Sequence, residues 1–298
     1  MPSTQEYLID VMIRHAIGIQ RVAGHNVDEL DQYFNRVNAD IINLAGSDPF
    51  VVTRRQAISR EAYNTVLQIY QEMGEEILTQ SSDMAANEIQ FVTDALNKAT
   101  TADVDISDVQ GMIQRAIDTP MRVDPGVTEL TISRAVDQFG ENKSLEFFRL
   151  ISDGVLEGKT GSEMAKEAQE LLKSQRHAAN TLVRTANNSI AASAREQLFE
   201  QNKDIISAYE WVAKLDHRTT EICTGLDEKV FKVGKGPLPP AHWNCRSQTV
   251  AVVNKKYRKE VDTKRKIMTE EDFNELMLSM GKTMTLGQLN AADRRLTQ

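Results

Sequence analysis

"AYEWVAKL", residues 208–215, is where the chain changes period. Tyr209, Trp211, Ala213 and Leu215 alternate with Glu210, Val212 and Lys214, the spacing of a strand with one buried face. Two more short β-like runs follow, "KVFKV" at 229–233 and "SQTVAVV" at 247–253. Between them the sequence reads as a turn with Asp216 and Arg218, a short helical turn through Cys223, and a loop stiffened by Pro237, Pro239 and Pro240. A small antiparallel sheet following helices is the expected reading. The fold class is therefore mainly α with a small α+β module, a short antiparallel sheet, near the C-terminus.

Upstream, from residue 5 to about residue 202, apolar residues recur three or four apart. Leu8, Val11, Met12, Ala16 and Ile19 form one such stripe, and Leu30, Tyr33, Phe34, Val37, Ile41 and Leu44 form another. Residues 61–98 fit either one long helix or two broken near "QSSD", where Ser82 or Asp83 could cap a new start. Val109, Met112, Ile113, Ala116 and Ile117 make a shorter helix, and "DTPMRVDPG" with Pro120, Pro125 and Gly126 then interrupts the pattern. "ELTISRAVDQFG", "SLEFFRLISDGVLEGK" and "SEMAKEAQELLKSQ" resume it, with Thr160 and Glu163 spaced as a capping box. A further helix, "HAANTLVRTANNSIAASAREQLFEQN", carries the small residues Ala178, Ala186, Ala191, Ala192 and Ala194, which permit close approach of a neighbour. Four regions result: helical 1–125, helical 126–203, the α+β module 204–253, and a basic segment with a C-terminal helix and tail, 254–298.

With 298 residues, 41% apolar and 26% charged, the composition is that of a soluble globular protein. No apolar run approaches the roughly 20 residues of a membrane span, and the N-terminus carries acids inside a helical pattern, so a cytoplasmic protein without a membrane partner is expected. Two cysteines make no disulfide framework. A net charge of −8 argues against a surface that is basic throughout. Lys255, Lys256, Arg258, Lys259, Lys264, Arg265 and Lys266 nevertheless crowd into "NKKYRKEVDTKRK", 254–266, and are the candidates for touching DNA, set against a solvated helix face.

The chemistry-bearing residues gather between Trp211 and Arg246. His242 and Cys245 stand two residues apart in "HWNC", and Cys223 supplies a third soft donor, so zinc is the one cofactor this set suggests. Asp216 or a water would have to complete the tetrahedron. The alternatives are two small buried thiols and a Cys–His nucleophile, with His242 or His217 as base and Asp216 or Asp227 as orienter. No nucleophile turn, phosphate loop or paired-carboxylate signature accompanies them, and no enzymatic activity is expected. Asp216 with Arg246 or Arg218 suits a structural ion pair, and Trp211 and Trp243 suit core and lid.

Taken in order, Trp211, Asp216, Arg218, Thr219 and Cys223, then Pro239, Pro240, His242, Cys245 and Arg246 in "PPAHWNCR", preceded by "RTANNSIAASAR" at 184–195, resemble the C-terminal signature of the phage Mu F-like minor head proteins, also called phage head morphogenesis proteins. The resemblance covers about residues 145–253. Many relatives carry cysteines where Thr220 and Ser247 stand here, and often a glycine where Glu228 stands. The resemblance implies a virion protein made in the host bacterial cytoplasm and carried at the portal vertex or capsid interior. It implies a role in head morphogenesis and in genome packaging or ejection. The implied partners are the portal protein, other head or scaffold proteins and packaged DNA.

Overall fold

The computed structural model describes residues 3–46, 54–121, 123 and 130–259. Helix α1 (Thr4–Glu29) starts on a capping box in which the Glu6 amide donates to Ser3 Oγ and the Ser3 amide to the Glu6 carboxylate. Its Leu8, Met12, Ile19 and Ala23 face inward. Helix α2 (Asp31–Gly46) buries Phe34, Val37 and Ile41 at the same spacing.

Helix α3 (Arg55–Ala99) is 45 residues long, about 67 Å at 1.5 Å per residue. It passes through "QSSD" unbroken. Ser81 Oγ donates to the Ile77 carbonyl (2.8 Å) and Ser82 Oγ to that of Leu78 (3.2 Å), so the hydroxyls bond back along the helix and cap no new start. Helix α4 (Val109–Asp118) is capped by Asp108, which accepts from the Gly111 amide. Pro120 follows, and Pro125 and Gly126 lie outside the described residues.

Two segment pairs that the sequence presents separately each form one helix. Helix α5 (Ile132–Glu157) runs through Gly140 and stops at Gly158, whose φ of 72° is the left-handed conformation of a helix end. Helix α6 (Gly161–Gln201) begins with the expected Thr160–Glu163 capping box. It contains no proline and no glycine after its first residue, and nothing halts it between Gln175 and Ala178. Ala186, Ala191, Ala192 and Ala194 are fully buried. Helix α6 touches all five preceding helices and the sheet, and the small side chains let it do so.

The chain leaves α6 into a three-stranded antiparallel sheet of order β2–β1–β3, with β1 Ile206–Val212, β2 Val230–Lys232 and β3 Gln248–Val253. Central strand β1 pairs Tyr209 with Phe231 on one side and with Ala251 on the other. It ends sooner than the alternation suggests: the Ala213 amide donates to the Asp227 carboxylate (2.7 Å) and leaves the ladder, and Leu215 is exposed. Between β1 and β2 lies the short helix α7 (Glu221–Leu226). A single 3-10 turn, Lys255–Tyr257, follows β3.

One apolar core extends from Leu8 in α1 to Val253 in β3, and Trp211, Cys223 and Cys245 make a small second cluster. The described residues belong to one compact unit, Pro2–Val261. Among them no helix is long and apolar enough to cross a membrane.

Candidate functional site

The site is built by two loops and gripped by α6. After β1 the chain turns at Asp216, whose amide donates to Thr219 Oγ1 (2.8 Å) while its carbonyl accepts from the Thr219 amide (2.9 Å). Thr219 Oγ1 in turn donates to the Lys214 carbonyl, and the Arg218 amide donates to the Asp216 carboxylate. Thr220 then caps α7 by accepting from the Cys223 amide (3.4 Å), which delivers the Cys223 side chain inward, 3% exposed.

The second loop descends through Pro237, whose carbonyl accepts from the Tyr209 hydroxyl (2.8 Å), and through buried Pro239 and Pro240, joined by a cis peptide. A turn at His242–Cys245 follows, closed by the Cys245 amide on the His242 carbonyl (3.1 Å), with Asn244 at φ 57°. Asparagine tolerates that left-handed conformation better than most residues. Helix α6 holds the turn from below. Thr185 Oγ1 accepts from the Asn244 amide (3.0 Å), and Asn188 Nδ2 donates to the Cys245 carbonyl (2.9 Å). The "RTANN" stretch thus serves as a clamp on the loop.

Asp216 and Arg246 tie the two loops together. Arg246 Nη1 and Nη2 donate to the two carboxylate oxygens at 2.6 and 2.7 Å, a bidentate fork. The hydrogen bond from Arg246, with that from the Arg218 amide, holds the Asp216 carboxyl far below the usual range. Of the two expected partners Arg246 is therefore the one that pairs.

Cys223, His242 and Cys245 converge, their donor atoms all within 4.8 Å of one another. Cys223 Sγ lies 3.2 Å from His242 Nε2 and 3.7 Å from Cys245 Sγ. His242 Nδ1 lies 2.9 Å from the Trp243 carbonyl. A carbonyl only accepts, so Nδ1 carries the proton and Nε2 presents its lone pair to the sulfurs. A hydrogen bond from Cys245 is the largest influence on Cys223, whose thiol is pulled down to about 5. Cys245 is pushed up by the same hydrogen bond and by burial. Of the side chains expected to serve a nucleophile, Asp227 accepts from the Ala213 amide, Asp216 is forked by Arg246, and His217 is exposed.

Trp211, fully buried, packs on both cysteines as core, whereas Trp243 is 40% exposed. Trp243 lines a cleft of about 590 Å³ between α1, α6 and the two loops, together with Arg184, Arg218, Arg246, His177 and His242. No carboxylate lines it. Of the expected DNA-contacting residues, Lys255 and Lys256 are exposed on the 3-10 turn. Arg258 Nε donates to the Val253 carbonyl (2.9 Å) and Lys259 Nζ to that of Asn97 (3.0 Å), bracing the exit from the sheet. Lys264, Arg265 and Lys266 lie outside the described residues.

Residues 147–250 match the family model of phage Mu protein F like protein. The chain carries a phage Mu protein F like region. That region begins within α5, includes the α6 clamp, both loops and β1, and ends in β3, so the structure unites what the motif strings list separately. The match points to a phage head morphogenesis protein. No curated protein and no solved structure matches the chain.

Sequence reasoning missed the buried charge pair of Glu88 on α3 and Arg195 on α6. The signal was present, because Glu88 follows Ile77, Met84 and Ala85 on the buried stripe of α3, and Arg195 ends the alanine-rich face of α6.

Proposed function

We propose that the protein is a minor head component of a tailed bacteriophage, held at the portal vertex or capsid interior, acting in head morphogenesis and in genome packaging or ejection. What supports this reading is the family match over residues 147–250, together with a region in which Thr185, Asp216 and Arg246 fix the two loops. A fold alone does not carry a function, so the reading stands on the family match. Native mass spectrometry of the chain mixed with its phage's portal protein should give a defined complex, and a phage lacking the gene should build defective or poorly infectious heads. Normal infectious particles without the protein would sink the reading.

A second reading, direct contact with packaged DNA, is favoured by the cleft. Arg218 makes no side-chain hydrogen bond or ion pair among the described residues, and it faces the same acid-free cleft as Arg184, His177 and the exposed Trp243. Cations that displace counterions give salt-dependent affinity, and an exposed indole offers a stacking face. Binding of duplex DNA should weaken steeply with added salt, and Arg184→Ala with Arg218→Ala should reduce that slope. Affinity indifferent to salt would exclude the reading.

A further inference from the structure

We propose that Cys223, His242 and Cys245 bind one zinc ion, with the fourth coordination position open to water at the small cavity beside Arg218 and Thr219. Three independent observations carry it. The first is spacing. Tetrahedral zinc with Zn–S bonds near 2.3 Å places two sulfurs about 3.8 Å apart, and Cys223 Sγ and Cys245 Sγ stand 3.7 Å apart. A disulfide would require about 2.05 Å.

The second is the state of the imidazole. Its Nδ1 proton is spent on the Trp243 carbonyl, which leaves Nε2 as a bare donor aimed at the sulfurs. A ring nitrogen bonded to a carbonyl while the other ligates is the usual support of a zinc-bound histidine. The third is the surrounding polar supply. Trp211 Nε1–H is buried without a hydrogen-bond partner among the described residues, in the cluster that contains both cysteines. A buried indole donor without an acceptor costs stability, whereas metal thiolates are acceptors that such donors support.

Charge completes the argument. Two thiolates and one neutral imidazole around a divalent cation make a neutral group, which is the form least costly to keep among Trp211, Leu226 and Ala241. Loading converts any remaining thiol to thiolate and releases its proton to solvent. Asp216 is engaged by Arg246 and is not among the donors that converge. The cavity that touches Cys223 and His242 is lined also by Lys214, Arg218, Thr219 and Ser247, and it supplies room for a water there.

The test uses the full chain, purified under reducing conditions without chelator. Elemental analysis should find zinc at one ion per chain. Cobalt added after chelation should give thiolate-to-metal absorption in the near ultraviolet and strong visible bands of a tetrahedral site. His242→Ala leaves both buried thiols in place, so it should keep its far-ultraviolet circular dichroism while losing the cobalt bands or weakening them at least tenfold. Cys223→Ser should lose the near-ultraviolet absorption. Reduced, folded protein that takes up no cobalt, takes it up only as a weakly absorbing octahedral ion, or binds it equally well as His242→Ala would overturn the proposal.

Discussion

Arg195 of α6 and Glu88 of α3 form an ion pair in which neither side chain is exposed. Arg195 Nε also donates to Thr249 of β3 (3.1 Å), and His15 Nε2 of α1 lies 2.6 Å from the other Glu88 oxygen. One buried charge cluster thus joins the first helix, the long central helix, the clamp helix and the last strand. Burial pushes the Glu88 carboxyl up, but Arg195 and His15 outweigh it and hold it below its ordinary value. Glu88→Ala leaves the guanidinium buried and unpaired and should cost about 3–5 kcal/mol in urea unfolding. The sign of the pH effect follows from a depressed folded value. The stabilisation is complete above the unfolded carboxyl range and is lost as pH falls through the folded value. Wild type should therefore lose stability toward acid more steeply than Glu88→Ala, and parallel acid profiles would show that the pair is not the cause.

A close helix contact gives the next expectation. A Cβ on Gly74 of α3 would lie 2.5 Å from Val136 Cγ1 of α5, whereas one on Gly18 of α1 would meet nothing within 4 Å. Valine is stiff at χ1 and cannot swing aside. Gly74→Ala should therefore destabilise by about 1–3 kcal/mol despite its gain in helix propensity. Gly18→Ala should stabilise by up to about 1 kcal/mol. Thermal unfolding of the two variants beside wild type decides it, and Gly74→Ala melting above wild type would disprove the tight contact.

These two pairs show where the sequence is informative. The helical stripes, the Thr160 capping box and the three β runs were legible because each rests on a local period or a local cap. Continuity was not: residues 61–98 fit one helix or two broken near "QSSD", with Ser82 or Asp83 as a cap, and the segments on either side of 141–143 stand apart, but tertiary burial on both sides carries each helix through. At the site, spacing along the chain offers Cys223, His242 and Cys245 as one set among alternatives and leaves Asp216 between Arg246 and Arg218; in the fold the three donors lie together and Arg246 makes the fork. The choice of Arg246, the clamp by Thr185 and Asn188, and the acid-free cleft depend on how α6 meets the loops, and no spacing along the chain encodes that.

The Asp216–Arg246 fork should act on loop order rather than on the core. Arg246 holds the Asp216 carboxyl far below the ordinary range, so this tie persists above the unfolded value and loosens only as strong acid protonates the carboxylate. Asp216→Asn keeps the shape and removes the charge. Amide exchange across 214–220 and 242–246 should quicken in that variant at neutral pH, with exchange in α3 unchanged. Equal protection in both loops would mean that the α6 clamp alone holds them.

Ser247 supplies the last test. It lines the small cavity together with Cys223, His242 and Arg246. A thiol placed there enters the position left open by the three donors, and a fourth protein ligand removes the exchangeable water of an open zinc site. Ser247→Cys should therefore tighten the metal at least tenfold, about 1.4 kcal/mol or more, read as slower zinc loss to a competing chelator. Cobalt bands should also sharpen toward a site with three sulfurs. If chelator competition and the cobalt spectrum are both those of wild type, the open position does not face Ser247, and the fourth ligand enters from the Thr219 side of the cavity.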